Sequence, residues 1–206
     1  MKSARAKLVL APPYRGDALR GIEAFSHLWL SFVFHEHLGR DWQPLVRPPR
    51  LGGNAKTGVF ASRSTFRPNP MGLSVVELLA VDAASGVLTL GGVDLVDGTP
   101  ILDIKPYLPY ADALPEARGG YAPEPPAALN VAWLPEAQAA LNALGKGELE
   151  GFISEVLAQD PRPAYKKQQV DERQYGVTLA GLNVRFRVHP QGVEVEEITR
   201  FTKPSA

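Results

Sequence analysis

The chain contains no cysteine. Disulfide bonds, thiolate metal sites and a cysteine nucleophile are thereby excluded. It also lacks any apolar run near the roughly 20 residues that a membrane helix needs. The longest, Leu28 to Phe34, is broken by Ser31 and ends at His35. No membrane partner is therefore expected. The start is basic, from Met1 to Lys7, but no long apolar segment follows, so no signal peptide is expected and the cytoplasm is the expected location. Net charge is absent too, with 22 basic and 22 acidic residues, which speaks against a general coat for nucleic acid. There is no Gly-x-Gly-x-x-Gly, so nothing points to a Rossmann cofactor site, and no Gly-x-Ser-x-Gly, which argues against a serine hydrolase.

What is there is an ordinary globular composition, 45% hydrophobic and 21% charged over 206 residues, enough for one domain plus a smaller appendage. Charge is uneven along it. Between Arg40 and Arg67 lie Arg40, Arg47, Arg50, Lys56, Arg63 and Arg67 against Asp41 alone. Such a patch fits local binding of phosphate or RNA, and equally a solvated basic loop.

Many short β-type segments precede residue 106. Leu8 to Leu10, His27 to His35, Thr57 to Arg63, Leu73 to Asp82, Val87 to Leu90 and Ile101 to Ile104 read as strands. Asp17 is a candidate N-cap of a short helix or turn reaching Ala24. Gln43 to Gly53 and Ser64 to Gly72 are proline-rich ordered loops. A strongly curved sheet or barrel suits this pattern. Pro106 to Pro126 reads as a linker, with six prolines. Helical spacing follows over Leu134 to Leu144 and Leu149 to Ala158, then a hairpin of Tyr175 to Leu179 with Asn183 to Val188, and a strand at Val193 to Ile198. The fold class expected is mainly β, with a β-barrel-like domain over 1–114 and a small α+β domain over 115–206.

Three stretches can carry chemistry. Arg63-Ser64-Thr65-Phe66-Arg67-Pro68-Asn69-Pro70 holds two arginines on a proline-locked loop. Arginine binds carboxylate or phosphate bidentately; the structural alternative is that these two cap carbonyls. Around a Gly-Thr-Pro turn, Asp94, Asp97 and Asp103 fall within ten residues. A carboxylate there can hold a ribose diol or take a proton, and one of the three is expected to bond its own backbone instead. His35 and His37 would share one face of a strand, but no third ligand is visible nearby and no metal is expected.

These blocks resemble a known family. Gly21 to Trp29, Arg47-Pro48-Pro49-Arg50, Gly58-Val59-Phe60-Ala61, Arg63 to Pro70, Asp97 to Tyr107 and Asp160 to Tyr165 are similar to the TrmO (TsaA-like) family, in the same order and over nearly the whole chain. The resemblance implies an S-adenosylmethionine-dependent tRNA methyltransferase acting on N6 of threonylcarbamoyl-adenosine beside the anticodon. It implies a β-barrel-like N-terminal domain, a homodimer, and cofactor bound near the dimer interface. By match of motif the cofactor contacts fall on His35, Glu36, Arg63, Leu73, Asp94, Leu95, Val96 and Asp97. Glu36 stands where members often carry glutamine. Met1 falls after the family's usual first strand and Pro-Gly-Leu loop, from which an exposed sheet edge and weaker cofactor binding are expected.

The target nitrogen bears a carbonyl-type substituent and is a poor nucleophile until its proton is drawn away. Asp103 or Asp97 is the candidate base. Arg47, Arg50, Arg67 and Arg162 are candidates to hold tRNA phosphates or the threonyl carboxylate. Two rivals come from other classes: a non-catalytic RNA- or cofactor-binding protein, and a metal hydrolase using His35, His37 and an aspartate.

Overall fold

Alternation of apolar and polar residues organises the first part of the chain. A computed structural model describes residues 2–52, 54–162 and 173–202. In it the first strands are β1 (Arg5–Val9) and β2 (His27–Val33), joined by short 3-10 turns at Pro12–Tyr14, Gly16–Leu19 and Ile22–Ala24. Asp17 does not cap a helix. It lies inside the turn that Arg15 opens, and its carboxylate pairs with Arg20. In β2 every second residue, Leu28, Leu30 and Phe32, is buried.

Two-residue strands β3 (Leu45–Val46) and β4 (Thr57–Gly58) pair with each other. The strand expected over Thr57 to Arg63 is thus only its first two residues. Val59–Ala61 form a 3-10 turn, because the local hydrogen bonds of the following serines compete with a ladder. Gly53, at the end of the expected Gln43 to Gly53 loop, lies outside the described residues. The long strand β5 (Met71–Asp82), then β6 (Val87–Gly91) and β7 (Ile101–Pro106), complete the main sheet. Its order is β1-β6-β5-β2-β7, and the pairings between neighbours are all antiparallel.

Among the described residues no pairing joins β1 to β7, so this sheet is open rather than a closed barrel. A proline marks one edge. Pro106 ends β7 and has no N–H to offer a further strand. Leu8, Leu19, Leu28, Leu30, Val76, Leu88 and Leu90 form the core on one face of the sheet. Gly72 of β5 is dictated by packing: a Cβ there would sit 2.3 Å from Cζ of Phe32 and 2.9 Å from Cζ of Phe34. Within the proline-rich segment that follows, Pro109–Asp112 forms one helical turn, α1.

The chain divides into two units, Met1–Tyr121 and Ala122–Ala206. The second begins with β8 (Val131–Trp133), a strand that residue pattern did not reveal, since its three residues are too few to show alternation. Helices α2 (Pro135–Ala143) and α3 (Glu150–Leu157) follow, with Pro135 at the first turn, where a proline costs no helix hydrogen bond. Strands β9 (Tyr175–Leu179), β10 (Leu182–His189) and β11 (Gly192–Arg200) make a sheet of order β8-β11-β10-β9, with β8 parallel to β11. Ala137, Leu141, Ile153 and Leu157 of the helices meet Val184, Phe186, Val193, Val195 and Ile198 of the strands in one core. Trp133 Nε1 donates to Ser154 Oγ at 2.9 Å, tying β8 to α3.

Asp160 and Arg162 close this unit. The Arg162 side chain is 3% exposed and that of Asp160 12%; Nε and Nη2 of the arginine donate to the two carboxylate oxygens at 2.8 and 2.9 Å. The arginine also lies 5.7 Å from the centre of the Tyr175 ring. The hydrogen bonds it donates to Asp160 hold the guanidinium charged, raising its pKa against the opposing effect of burial. Pro163 to Tyr165, the rest of the block beginning at Asp160, lie outside the described residues.

Two stability outcomes follow. Gly72→Ala forces a methyl into the Phe32 and Phe34 rings and is expected to cost about 1–3 kcal/mol, read as a lower urea midpoint at unchanged slope. Asp160→Asn keeps a residue type tolerant of the left-handed backbone there (φ 50°) but removes the carboxylate charge that two donors of a buried guanidinium share. It is expected to cost roughly 3 kcal/mol, and a midpoint equal to that of the wild type would contradict this account.

Candidate active site

The two chemical blocks meet at the end of β2. The N–H of Val33 donates to the carbonyl of Pro100 at 3.0 Å, and the N–H of Phe34 donates to the carbonyl of Pro70 at 2.8 Å. One strand end thus holds the loop that carries Arg63 to Pro70 and the loop that carries Asp94 to Asp97. The chain then turns through a 3-10 segment, His35–His37, closed by the N–H of His37 on the carbonyl of Phe34 at 2.9 Å. His35 and His37 are therefore not on one face of a strand. The metal-hydrolase expectation loses its geometry, and among the described residues no group of three His, Asp or Glu side chains is arranged to hold a metal ion.

The arginine loop is built from its own polar side chains. Ser62 Oγ donates to the carbonyl of Val59 at 2.8 Å and accepts from the N–H of Ser64 at 3.2 Å, while Ser64 Oγ accepts from the N–H of Phe66 at 3.2 Å. Arg67 Nη1 donates to the carbonyls of Val59 and Ser62, at 3.2 and 2.8 Å, with its guanidinium 5.8 Å from the Phe60 ring centre. The two arginines hence divide the two readings between them. Arg67 caps carbonyls and braces the loop, whereas Arg63 is exposed.

On the carboxylate side, the turn Val96–Thr99 is closed by the N–H and Oγ1 of Thr99 on the carbonyl of Val96, at 3.2 and 2.6 Å. Gly98 takes φ 75° there, as such a turn demands. Asp94, Val96 and Asp97 are exposed around it, with Leu95 half-buried against the core. Asp103 lies on β7, and the aspartate that bonds its own backbone is this one: Oδ1 accepts the N–H of Ile104 at 2.9 Å, and Oδ2 lies 3.8 Å from Lys105 Nζ.

Register brings Leu73 and Asp103 into one row. Ser31 of β2 lies opposite Leu73 of β5 on one side and Asp103 of β7 on the other. Directly opposed residues share a face, so these three project from the side of the sheet away from the core. Two strand spacings, about 10 Å, separate the outer pair. Leu73 is 60% exposed. The other arginines differ in setting. Arg47 and Arg50 are exposed, beside β3 and in the 3-10 turn Pro49–Leu51. Arg162 is buried in the second unit in its pair with Asp160, so its guanidinium holds the protein together there rather than facing a surface.

Two features had no place in the sequence reading. Trp29 Nε1 donates to Asp112 Oδ2 at 3.0 Å, which also accepts the N–H of Leu108 at 2.8 Å, and the Tyr107 ring lies 6.0 Å from that of Trp29. This anchors the segment after β7. A cavity of about 340 Å³ also opens between residues 37–42 and 65–70, with Trp42, Phe66 and Arg67 in its wall. An exposed tryptophan inside a basic segment is a signal for nucleic-acid binding that could have pointed to it.

The chain is similar to known proteins over most of its length. Residues 1–113 match the family described as the tRNA-methyltransferase O N-terminal domain, and residues 126–201 match the TrmO C-terminal domain. The tRNA (adenine(37)-N6)-methyltransferase of Escherichia coli (strain K12) is 55% identical over 201 residues, 95% of this chain and 86% of that protein. Its counterpart in Eikenella corrodens is 50% identical, over 85% of this chain and 97% of that protein. A crystal structure of TrmO from Pseudomonas aeruginosa superposes with a TM-score of 0.76 at 40% identity, covering 96% of this chain and 85% of that one. The chain belongs to the tRNA-methyltransferase O (TrmO) family.

Proposed function

We propose that the chain is an S-adenosylmethionine-dependent tRNA methyltransferase acting on N6 of adenosine 37, the threonylcarbamoyl-bearing adenosine beside the anticodon. The observation that carries this reading is the joining of the arginine loop and the aspartate loop to one strand end, in a chain 55% identical to the Escherichia coli enzyme. The alternative of a non-catalytic binder is not favoured, because the relatives matched over most of this chain are named as methyltransferases.

The side chains near that strand end suit the cofactor. Asp94 and Asp97 offer carboxylates to a ribose diol and to positive charge, Leu95 and Val96 line the same turn, and exposed Leu73 offers an apolar surface. His35, Glu36 and Arg63 supply polar contacts at its rim. The cofactor supplies an electrophilic methyl group. The protein's own part is alignment of the acceptor nitrogen and removal of its proton. In this reading Asp103 or Asp97 would take that proton from N6.

Arg47 and Arg50 hold phosphates of the anticodon stem-loop. Arg67 is braced through Nη1, and the donors on its Nε and Nη2 are directed to RNA or to the threonyl carboxylate. Arg162 serves indirectly, by fixing the segment at Asp160 of the second unit. The reading includes a homodimer, with the open sheet face that carries Leu73 as the natural side for a second copy, and a cytoplasmic setting. It also assigns catalysis to a domain over 1–114 and leaves 115–206 as a separate α+β domain. No helix among the described residues is long and apolar enough to cross a membrane.

Turnover of Asp103→Asn and Asp97→Asn, with cofactor affinity measured in parallel, tests the base. At least one is expected to lose about 10²–10⁴-fold in rate while still binding cofactor. Undiminished turnover in both rejects a carboxylate base. RNA affinity is expected to fall linearly with salt on a double-logarithmic plot, and Arg47→Ala and Arg50→Ala each to reduce the slope by roughly 0.7–0.9. A flat salt dependence would remove the arginines from the RNA interface.

A further inference from the structure

The cavity between residues 37–42 and 65–70 is not accounted for by the contacts assigned to the methyl donor. It is formed where two chain segments face each other, joined by the N–H of Gln43 on the carbonyl of Phe66 at 3.2 Å. Its volume of about 340 Å³ falls at the small end of ligand sites, which run from roughly 300 to 1,000 Å³. Two aromatic rings stand in its wall. Trp42 is 50% exposed, and Phe66 is held edge-on by His37 at 5.1 Å between ring centres. Arg40 and Arg67 line it against the single carboxylate of Asp41.

We propose that this cavity is the acceptor pocket: it takes the adenine drawn out of the anticodon loop, stacked on Trp42 and Phe66, with Arg40 and Arg67 against the carboxylate of its N6 substituent. The inference rests on the methyltransferase reading and names the site of its substrate. Three observations carry it. An enzyme that does chemistry on a base must unstack that base, and a flat aromatic surface replaces the lost stacking. The cavity's charge is the second. Two guanidiniums facing one carboxylate favour an anionic group and disfavour a sulfonium, whereas Asp94 and Asp97 suit the cation. Position is the third. His37, in the cavity wall, closes the same 3-10 turn that carries His35 and Glu36, and Arg67 lies four residues after Arg63. An acceptor here is next to the proposed donor contacts along both segments.

Arg67 is suited to a carboxylate by the brace it makes. Nη1 donates to the carbonyls of Val59 and Ser62, so the guanidinium is already oriented before substrate arrives. Less side-chain freedom is then lost on binding than for a solvated arginine.

The test uses an anticodon stem-loop RNA carrying threonylcarbamoyl-adenosine, the same RNA with the threonyl carboxylate converted to an amide, and the full-length protein. Equilibrium RNA affinity, cofactor affinity and methyl transfer are all measured. Trp42→Ala is expected to weaken binding of the modified RNA by roughly 5- to 150-fold, the loss of one base–aromatic stack, with cofactor affinity unchanged. Trp42→Phe is expected to recover most of it. The amide RNA is expected to bind the wild-type protein at least about tenfold more weakly than the carboxylate RNA, as for one charge-assisted hydrogen bond of about 1.5–3 kcal/mol. Equal RNA affinity for wild type and Trp42→Ala, or equal affinity for the two RNAs, overturns the pocket. A cofactor affinity that falls with Trp42→Ala also overturns it and assigns the cavity to the donor. Trp42-dependent binding by a wild-type protein that transfers no methyl group would instead overturn the enzymatic reading and leave the pocket standing.

Discussion

The end of β2 is the point on which the rest of the N-terminal unit depends. Inside that strand, Leu28, Leu30 and Phe32 are buried, and the backbone is paired on both sides, to β5 and to β7. At its end, two successive N–H groups reach out to Pro70 and Pro100. Prolines cannot donate, but their carbonyls accept, so a proline-rich loop can still be held by a neighbour's N–H. Two loops with no regular ladder of their own are thereby fixed on either side of one strand end.

Rigidity at this place is reinforced by side chains used as backbone. Ser62, Ser64 and Arg67 satisfy the carbonyls and N–H groups that a loop of this composition leaves unpaired. Thr99 does the same for the aspartate turn. Alignment is the main service a protein renders to an in-line methyl transfer, and it requires loops that do not wander. The same loops that are irregular in conformation are held by side-chain hydrogen bonds to their own backbone.

The second unit rests on different physics. Its sheet and the helices α2 and α3 share an apolar core, and the one buried charge among its described residues is paired with Asp160. An arginine buried in this way loses its value as a phosphate ligand and becomes a fixed strut. Arg162 and Arg47 both stand beside prolines and differ in burial and in the carboxylate of Asp160 that pairs with Arg162.

Much of the architecture was legible in the residues themselves. Period-two burial in β2 and β10, helical spacing after Pro135 and the turn at Gly98 follow from local stereochemistry, which acts between near neighbours. The resemblance of several ordered blocks carried the family. Pairing and burial were not legible, because they depend on residues distant in the chain. Whether the sheet closed, that β8 ran parallel to β11, and that Leu73, Ser31 and Asp103 formed one row were matters of register. Likewise Arg63 and Arg67 are the same residue type four positions apart. Only the carbonyls of Val59 and Ser62, brought within reach by the folded loop, made one of them a brace and left the other exposed.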